Sequence, residues 1–76
     1  MKHRFRLLFE ACLAGREPAE SLPTELRTRL VAQLVAQGWT DAEIAALTRM
    51  STYTTARIRE RVGLPPGRLA DRGAAA

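Results

Sequence analysis

Apolar residues recur at intervals of three and four along most of the chain, which is the spacing of one face of an α-helix. In the first segment Phe5, Leu8 and Cys12 follow this spacing, and Gly15 ends it. The pattern predicts a helix over residues 2–14. No segment shows the strict alternation of a half-buried strand, so we expect an all-α protein.

A second helix is predicted from Pro23 to about Gln37. Proline suits a first helical turn because the N–H that it lacks has no partner there. Leu30 and Leu34 lie on one side of this helix. Gly38 is expected to end it, since glycine adopts a positive φ at little cost.

Two further helices are indicated by their amino-terminal caps. Thr40 and Glu43 have the spacing of a capping box, which predicts that a third, short helix starts there. Ser51 is a good N-cap residue and is expected to open a fourth helix that ends near Val62. The run Pro65-Pro66-Gly67 prevents that helix from continuing.

The 76 residues allow one core, because a chain of this length buries only about 60% of its unfolded surface. We therefore expect a three-helix core with an amino-terminal amphipathic helix, four helices in total. The predicted organisation is an amino-terminal helix for packing or dimerisation at 1–15, a polar linker at 16–22, a three-helix unit at 23–64 and a flexible tail at 65–76.

Composition excludes several classes of function. A single cysteine and a single histidine give neither an internal disulfide nor a zinc site of four ligands. Apolar runs such as Leu7-Leu8-Phe9 are at most four residues long, far short of a membrane span. Arg6 and Glu10 interrupt the apolar region that a signal peptide needs. We expect a cytoplasmic, non-enzymatic protein with no metal, cofactor or small-molecule ligand.

The positive charge lies in the last third of the chain. Residues 49–76 carry six arginines against two acidic residues, and this segment accounts for the whole net charge of +4. Such a segment attracts a polyanion, although a solvated helix face would have the same composition. Eleven of the twelve basic residues are arginine, which indicates a GC-rich, bacterial genome.

Two short helices with a tight connection, the second capped and rich in arginine, are the pattern of a helix-turn-helix. Ala45 supplies the small side chain that lets the helices approach. Ile44, Met50 and Ile58 fall where they meet, with Thr55 as a smaller, partly polar member of the same contact. The face left over on the fourth helix comprises Thr52, Tyr53, Ala56, Arg57 and Glu60.

Part of the chain resembles known helix-turn-helix proteins. The residues concerned are Gly38-Trp39-Thr40-Asp41-Ala42-Glu43-Ile44-Ala45, Met50-Ser51 and Thr54. They resemble the helix-turn-helix of LuxR-type regulators and of sigma factor region 4, and the run from 38 to 64 is similar to small helix-turn-helix proteins of actinobacteria and their mobile elements. The resemblance covers residues 23–64. It implies sequence-specific binding to double-stranded DNA. The implied role is to regulate transcription or to control a mobile element, and the implied location is the bacterial nucleoid.

One residue departs from that pattern. Arg49 stands where many such turns have glycine. A positive φ would cost an arginine about 1–2 kcal/mol. We therefore expect either a different turn geometry or an Arg49 that is held by a phosphate.

The fourth helix supplies the expected base contacts, and its surroundings supply the phosphate contacts. Base contacts are assigned to Thr52, Tyr53, Ala56 and Arg57. The Arg57 guanidinium would bind O6 and N7 of guanine, with a phosphate contact or an ion pair to Glu60 as alternatives. Phosphate contacts are assigned to Thr40, Arg49, Ser51, Thr54, Arg59, Arg61 and Arg68, and Arg68 has a minor groove as its alternative partner.

A recognition helix of 11 residues is about 16 Å long and spans about five base pairs, too few to specify one genomic site. We expect a homodimer or a helper protein, with Leu7, Ala11 and Ala14 as the pairing surface. The alternative function is that of an adaptor or anti-factor that binds RNA polymerase, a sigma factor or another regulator.

Overall fold

The computed structural model describes residues 3–67, which form four α-helices and no strand. They are α1 (His3–Leu13), α2 (Thr24–Ala36), α3 (Asp41–Thr48) and α4 (Thr52–Arg61). The all-α class and the number of helices are thus confirmed, with boundaries that differ by one or two residues. No helix in this part of the chain has the length and apolar content needed to cross a membrane.

Local capping determines where α3 and α4 begin. The Glu43 amide donates to Thr40 Oγ1 at 3.2 Å, and the Thr40 amide donates to Glu43 Oε1 at 3.0 Å, so the predicted capping box is present. Ser51 Oγ accepts a hydrogen bond from the Thr54 amide at 3.0 Å at the start of α4. Gly38 has a φ of 86°, as expected of a glycine that ends α2.

One hydrophobic core is shared by all four helices. Its buried members on these helices are Phe9 and Cys12 of α1, Leu30, Val31, Leu34 and Val35 of α2, Ile44 of α3 and Ile58 of α4. Cys12 is fully buried, and burial raises the pKa of its thiol, with a smaller contribution from the charge of Glu17. Because α1 contributes to this core, it is a structural part of the fold.

The predicted polar linker at 16–22 also contributes two residues to the core, which the sequence-based interpretation did not include. A short 3₁₀ helix at Ala19–Ser21 turns the chain inward. Ala19 and Leu22 are 0% and 2% exposed and belong to the core cluster. Two apolar residues in a short segment are too few to show a periodic pattern, so the sequence did not indicate their burial.

The segment after α4 folds back onto the junction of α2 and α3. Leu64 packs against the core, and a Cβ atom on Gly67 would lie 1.9 Å from the carbonyl oxygen of Trp39. Only glycine permits so close a backbone approach. The first residues of the predicted tail therefore lie on the folded unit, while residues 68–76 are outside the described range.

Candidate nucleic-acid interface

Helices α3 and α4 pack closely and are joined by three residues, 49–51. Ile44 and Ala45 of α3 and Ile58 of α4 are buried, with exposures of 0%, 6% and 7%. Met50 in the connection is half-buried against the core. Ile44, Met50 and Ile58, which were predicted at the contact between these helices, are therefore all buried or half-buried there.

Two fully buried threonines lie near the connection between these helices. Thr48 Oγ1 donates to the carbonyl oxygen of Ile44 at 2.6 Å, and Thr55 Oγ1 donates to that of Ser51 at 3.0 Å. Each hydroxyl is thus satisfied inside its own helix, which removes the cost of burying it. Thr55 was expected at this contact, whereas Thr48 was not recognised from the sequence.

Arg49 has a left-handed backbone conformation, with φ 63° and ψ 21°. Of the two alternatives for this position, a turn without a positive φ is therefore wrong, and an Arg49 held by a phosphate stays a prediction. The conformation closes the end of α3, and it costs a residue with a Cβ atom about 1–2 kcal/mol. The Arg49 side chain is exposed beside the start of α4.

The outward face of α4 consists of Thr52, Tyr53, Ala56, Arg57 and Glu60. All of these side chains are exposed except that of Ala56, which is half-buried. Tyr53 is the most open of the large apolar residues that the structure describes as exposed, at 72%. A helix whose opposite side is in the core thus presents polar, aromatic and cationic groups to solvent.

Within this face, the Arg57 guanidinium carbon lies 5.9 Å from the centroid of the Tyr53 ring, which is a cation–π distance. Arg57, Glu60 and Arg61 line an open depression of about 300 Å³. Within residues 3–67 Arg57 and Glu60 form no ion pair. The ion pair with Glu60, which was one alternative for Arg57, is therefore not observed.

Arg59 has a different role from the one expected, and the phosphate contact assigned to it is corrected. Its Nε and Nη2 atoms donate to the two carboxylate oxygens of Asp41 at 2.9 and 3.0 Å, and Nη1 donates to the carbonyl oxygen of Leu64 at 2.9 Å. The residue is only 9% exposed. The hydrogen bonds to Asp41 raise the pKa of Arg59, against the lowering effect of burial. Arg59 therefore ties α4 to the start of α3 and to the segment that follows α4.

The other expected phosphate ligands divide into two groups. Arg49, Ser51, Thr54 and Arg61 are exposed around α4. Thr40 is half-buried, and both its amide and its hydroxyl donate to the Glu43 carboxylate. A phosphate at Thr40 would have to displace that carboxylate, so Thr40 serves as a cap. Arg68 lies outside the described residues.

The expected pairing surface, formed by residues of α1 and the residue that follows it, is at least partly exposed to solvent. Leu7 is 54% exposed, Ala14 is exposed and Ala11 is half-buried. Phe9 and Cys12 face inward from the same helix. Leu7 and Ala14 are therefore accessible to a partner, and the pairing itself stays a prediction.

Pairing of Arg59 with Asp41 changes the charge that the interface presents. The exposed charged residues from the connection to the end of α4 are Arg49, Arg57, Arg61 and Glu60. Three guanidinium groups against one carboxylate favour an anionic partner. No group of three metal-ligating side chains occurs among the residues that the structure describes.

Comparison of the chain with protein-family models, with curated proteins and with solved structures finds no match. The chemistry of the interface is therefore inferred from its own side chains. The interface consists of the exposed face of α4, with one aromatic ring, of arginines on and beside that face, and of the capped amino terminus of the helix.

Proposed function

We propose that the protein binds double-stranded DNA in a sequence-specific manner, that α3 and α4 act as a helix-turn-helix, and that α4 enters the major groove. The observation that carries the proposal is the outward face of α4, where Tyr53 and Arg57 project from a helix whose other side is fixed in the core. Its physiological role would be regulation of transcription or control of a mobile element in a bacterial cytoplasm.

The outward face of α4 has suitable side chains for reading bases. Arginine binds guanine through O6 and N7, and threonine and alanine methyl groups contact the methyl group of thymine. Thr52 and Ala56 therefore complement Arg57 along the same helix face.

Phosphate contacts are proposed at the edges of this face. Arg49 and Arg61 carry exposed guanidinium groups at the two ends of α4. Ser51 and Thr54 lie at its amino terminus, where the helix dipole favours an anion. These residues would fix the register of α4, and the outward face would supply the sequence preference.

A single copy is too small to select one genomic site. With 10 residues, α4 is about 15 Å long and covers four to five base pairs. We therefore propose a homodimer that reads two half-sites about 34 Å apart, or a helper protein that adds contacts. Leu7, Ala11 and Ala14 are the proposed pairing surface. Sedimentation of the wild type and of Leu7→Glu, with and without DNA, tests whether the protein pairs through this surface. Pairing is refuted if both proteins are monomeric under all conditions and bind DNA equally well.

Selection of bound fragments from random duplex DNA tests the main proposal. We expect enrichment of a short motif, or of two copies at a fixed spacing. Recovery of random sequences would refute sequence-specific binding. The absence of any DNA binding at low salt would favour the adaptor function instead.

Salt dependence of the selected complex tests the phosphate assignments. The logarithm of the affinity should fall linearly with the logarithm of the salt concentration, with a slope near −0.9 for each phosphate contact. Arg61→Ala should flatten the slope by about one unit. Arg29→Ala is the matched control, because Arg29 is an exposed arginine on α2 with no assigned phosphate contact, and it should leave the slope unchanged. Equal slopes for wild type and Arg61→Ala would contradict the assignment of Arg61.

A further inference from the structure

The outward face of α4 contains an exposed aromatic ring that the fold does not need. Tyr53 is 72% exposed and is not part of the core cluster. Tyrosine is enriched at sites of contact with other molecules, because it offers both an apolar ring and a polar hydroxyl group. The guanidinium group of Arg57, one helical turn later, lies over this ring.

We propose that Tyr53 is a positioning and specificity-determining residue, which holds the Arg57 guanidinium for a guanine in the major groove; this inference rests on the proposed function. The substrate class is a duplex half-site with a guanine opposite Arg57. The juxtaposition that carries the proposal is the guanidinium carbon 5.9 Å from the ring centroid, on the solvent side of α4.

Helix geometry explains why these two side chains meet. Residues four apart lie on the same face, and long side chains in a helix lean toward its amino terminus. Arg57 therefore leans back over the turn that contains Tyr53. Within residues 3–67 no carboxylate forms an ion pair with Arg57, so the ring is its principal neighbour on this face.

The ring contact prepares Arg57 for guanine in two ways. It limits the rotamers of a long, flexible side chain, so less freedom is lost when the complex forms. A guanidinium held above a ring also keeps N–H donors at its rim, and two of them match O6 and N7 of guanine. Lysine has no planar fork and would not reproduce this arrangement.

Glu60 favours base edges over phosphates at this part of α4. It lines the same depression of about 300 Å³ as Arg57 and Arg61. A carboxylate repels a phosphate group, whereas in the major groove it accepts a hydrogen bond from the amino group of cytosine. The neighbourhood of Arg57 is therefore better suited to a G·C pair than to the DNA backbone.

The experiment uses the full chain and duplexes recovered by selection from random DNA. Each G·C pair of the recovered motif is replaced in turn by A·T, and affinities are measured at one salt concentration. For the wild type we expect one position at which the replacement lowers affinity about 5- to 150-fold. Arg57→Lys should remove most of that discrimination.

Tyr53→Leu and Tyr53→Phe form the matched pair of variants. The leucine variant loses the π system, and the ratio of affinities for the duplexes with and without the guanine should fall about two- to fivefold. The phenylalanine variant keeps the ring and should keep the discrimination. Thermal unfolding of both should match the wild type, because the side chain is exposed.

The outcomes separate this inference from the proposed function. If Tyr53→Leu weakens binding to all duplexes by the same factor, or Phe fails to preserve discrimination, Tyr53 does not position Arg57, although DNA binding stands. If the wild type binds no duplex at low salt, the proposed function and this inference both fail.

Discussion

The ion pair between Arg59 and Asp41 allows the most detailed test of the structure. We consider Asp41→Ala, which leaves the Arg59 guanidinium without its carboxylate partner in a largely buried place. The side chains of Arg59 and Asp41 are 11% and 24% exposed, and their closest atoms are 2.9 Å apart. Arg59 also donates to the carbonyl oxygen of Leu64, so the change affects three parts of the chain.

The expected loss of stability is large for so small a protein. Removing one partner of a buried ion pair costs about 3–5 kcal/mol. Because Asp41 is partly exposed, we expect a smaller loss of about 2–3 kcal/mol in the free energy of unfolding. For a chain of this size that corresponds to a decrease in Tm of about 8–24 °C.

The assay is urea unfolding of four proteins followed by circular dichroism: wild type, Asp41→Ala, Arg59→Met and the double variant. The double variant has no unpaired buried charge, so it should be more stable than the sum of the single losses indicates, by about 1–2 kcal/mol. Arg61→Ala is the control, because its side chain is exposed two residues away, and it should stay within about 0.5 kcal/mol of the wild type.

Salt distinguishes a buried pair from a surface pair. The loss caused by Asp41→Ala should persist at 0.5 M salt, since partly buried charges are screened little. A loss below about 0.5 kcal/mol together with a coupling near zero would refute the reasoning. Arg59 would then be available to solvent and to phosphate.

Three further predictions follow from the backbone and the core. Arg49→Gly should raise the free energy of unfolding by about 1 kcal/mol, because glycine adopts a positive φ without strain. The same change should weaken DNA binding and flatten its salt dependence. A loss of stability would contradict the claim that Arg49 is strained. Burial raises the pKa of Cys12, so ionisation of this thiol favours the unfolded state. The free energy of unfolding should therefore fall as pH rises above the unfolded thiol's pKa of about 8.5, with no contribution from Cys12 below it. Cys12→Ala should lack this fall. Gly67→Ala should displace the segment from Trp39 and change the indole fluorescence, whereas Pro66→Ala should not; an unchanged spectrum in Gly67→Ala would count against the close approach.

The helices were predictable from the sequence because their signals are local. Thr40 and Glu43 are three residues apart, and the hydrogen bonds that they exchange require no information from the rest of the chain. Ser51 and Gly38 act in the same way at the start of α4 and at the end of α2. The number of helices and their ends therefore follow from short segments.

The features that the sequence did not reveal depend on contacts between distant segments. Asp41 and Arg59 are 18 residues apart, and their pairing follows from the way α3 packs on α4. One signal was available, because Arg59 follows Thr55 by four residues and so lies on its inward side. The left-handed conformation of Arg49 was indicated only by the glycine that many such turns have at this position, since arginine itself disfavours a positive φ.

The candidate interface was partly predictable for the same reason. Helical spacing correctly separates the outward face of α4 from the buried Thr55 and Ile58. It does not indicate which exposed arginines are already engaged, since that depends on partners elsewhere in the chain. The roles of Tyr53 and Arg57 in binding DNA stay predictions.

The most direct test of the account is an NMR titration of the labelled protein with a duplex recovered by selection from random DNA. We expect the largest amide shift changes along the connection and the outward face of α4, from Arg49 to Arg61, with small changes in the core residues of α2. Changes concentrated on α1 or α2, with α4 unaffected, or no change with any duplex at low salt, would contradict the claim that α4 is the DNA-binding helix.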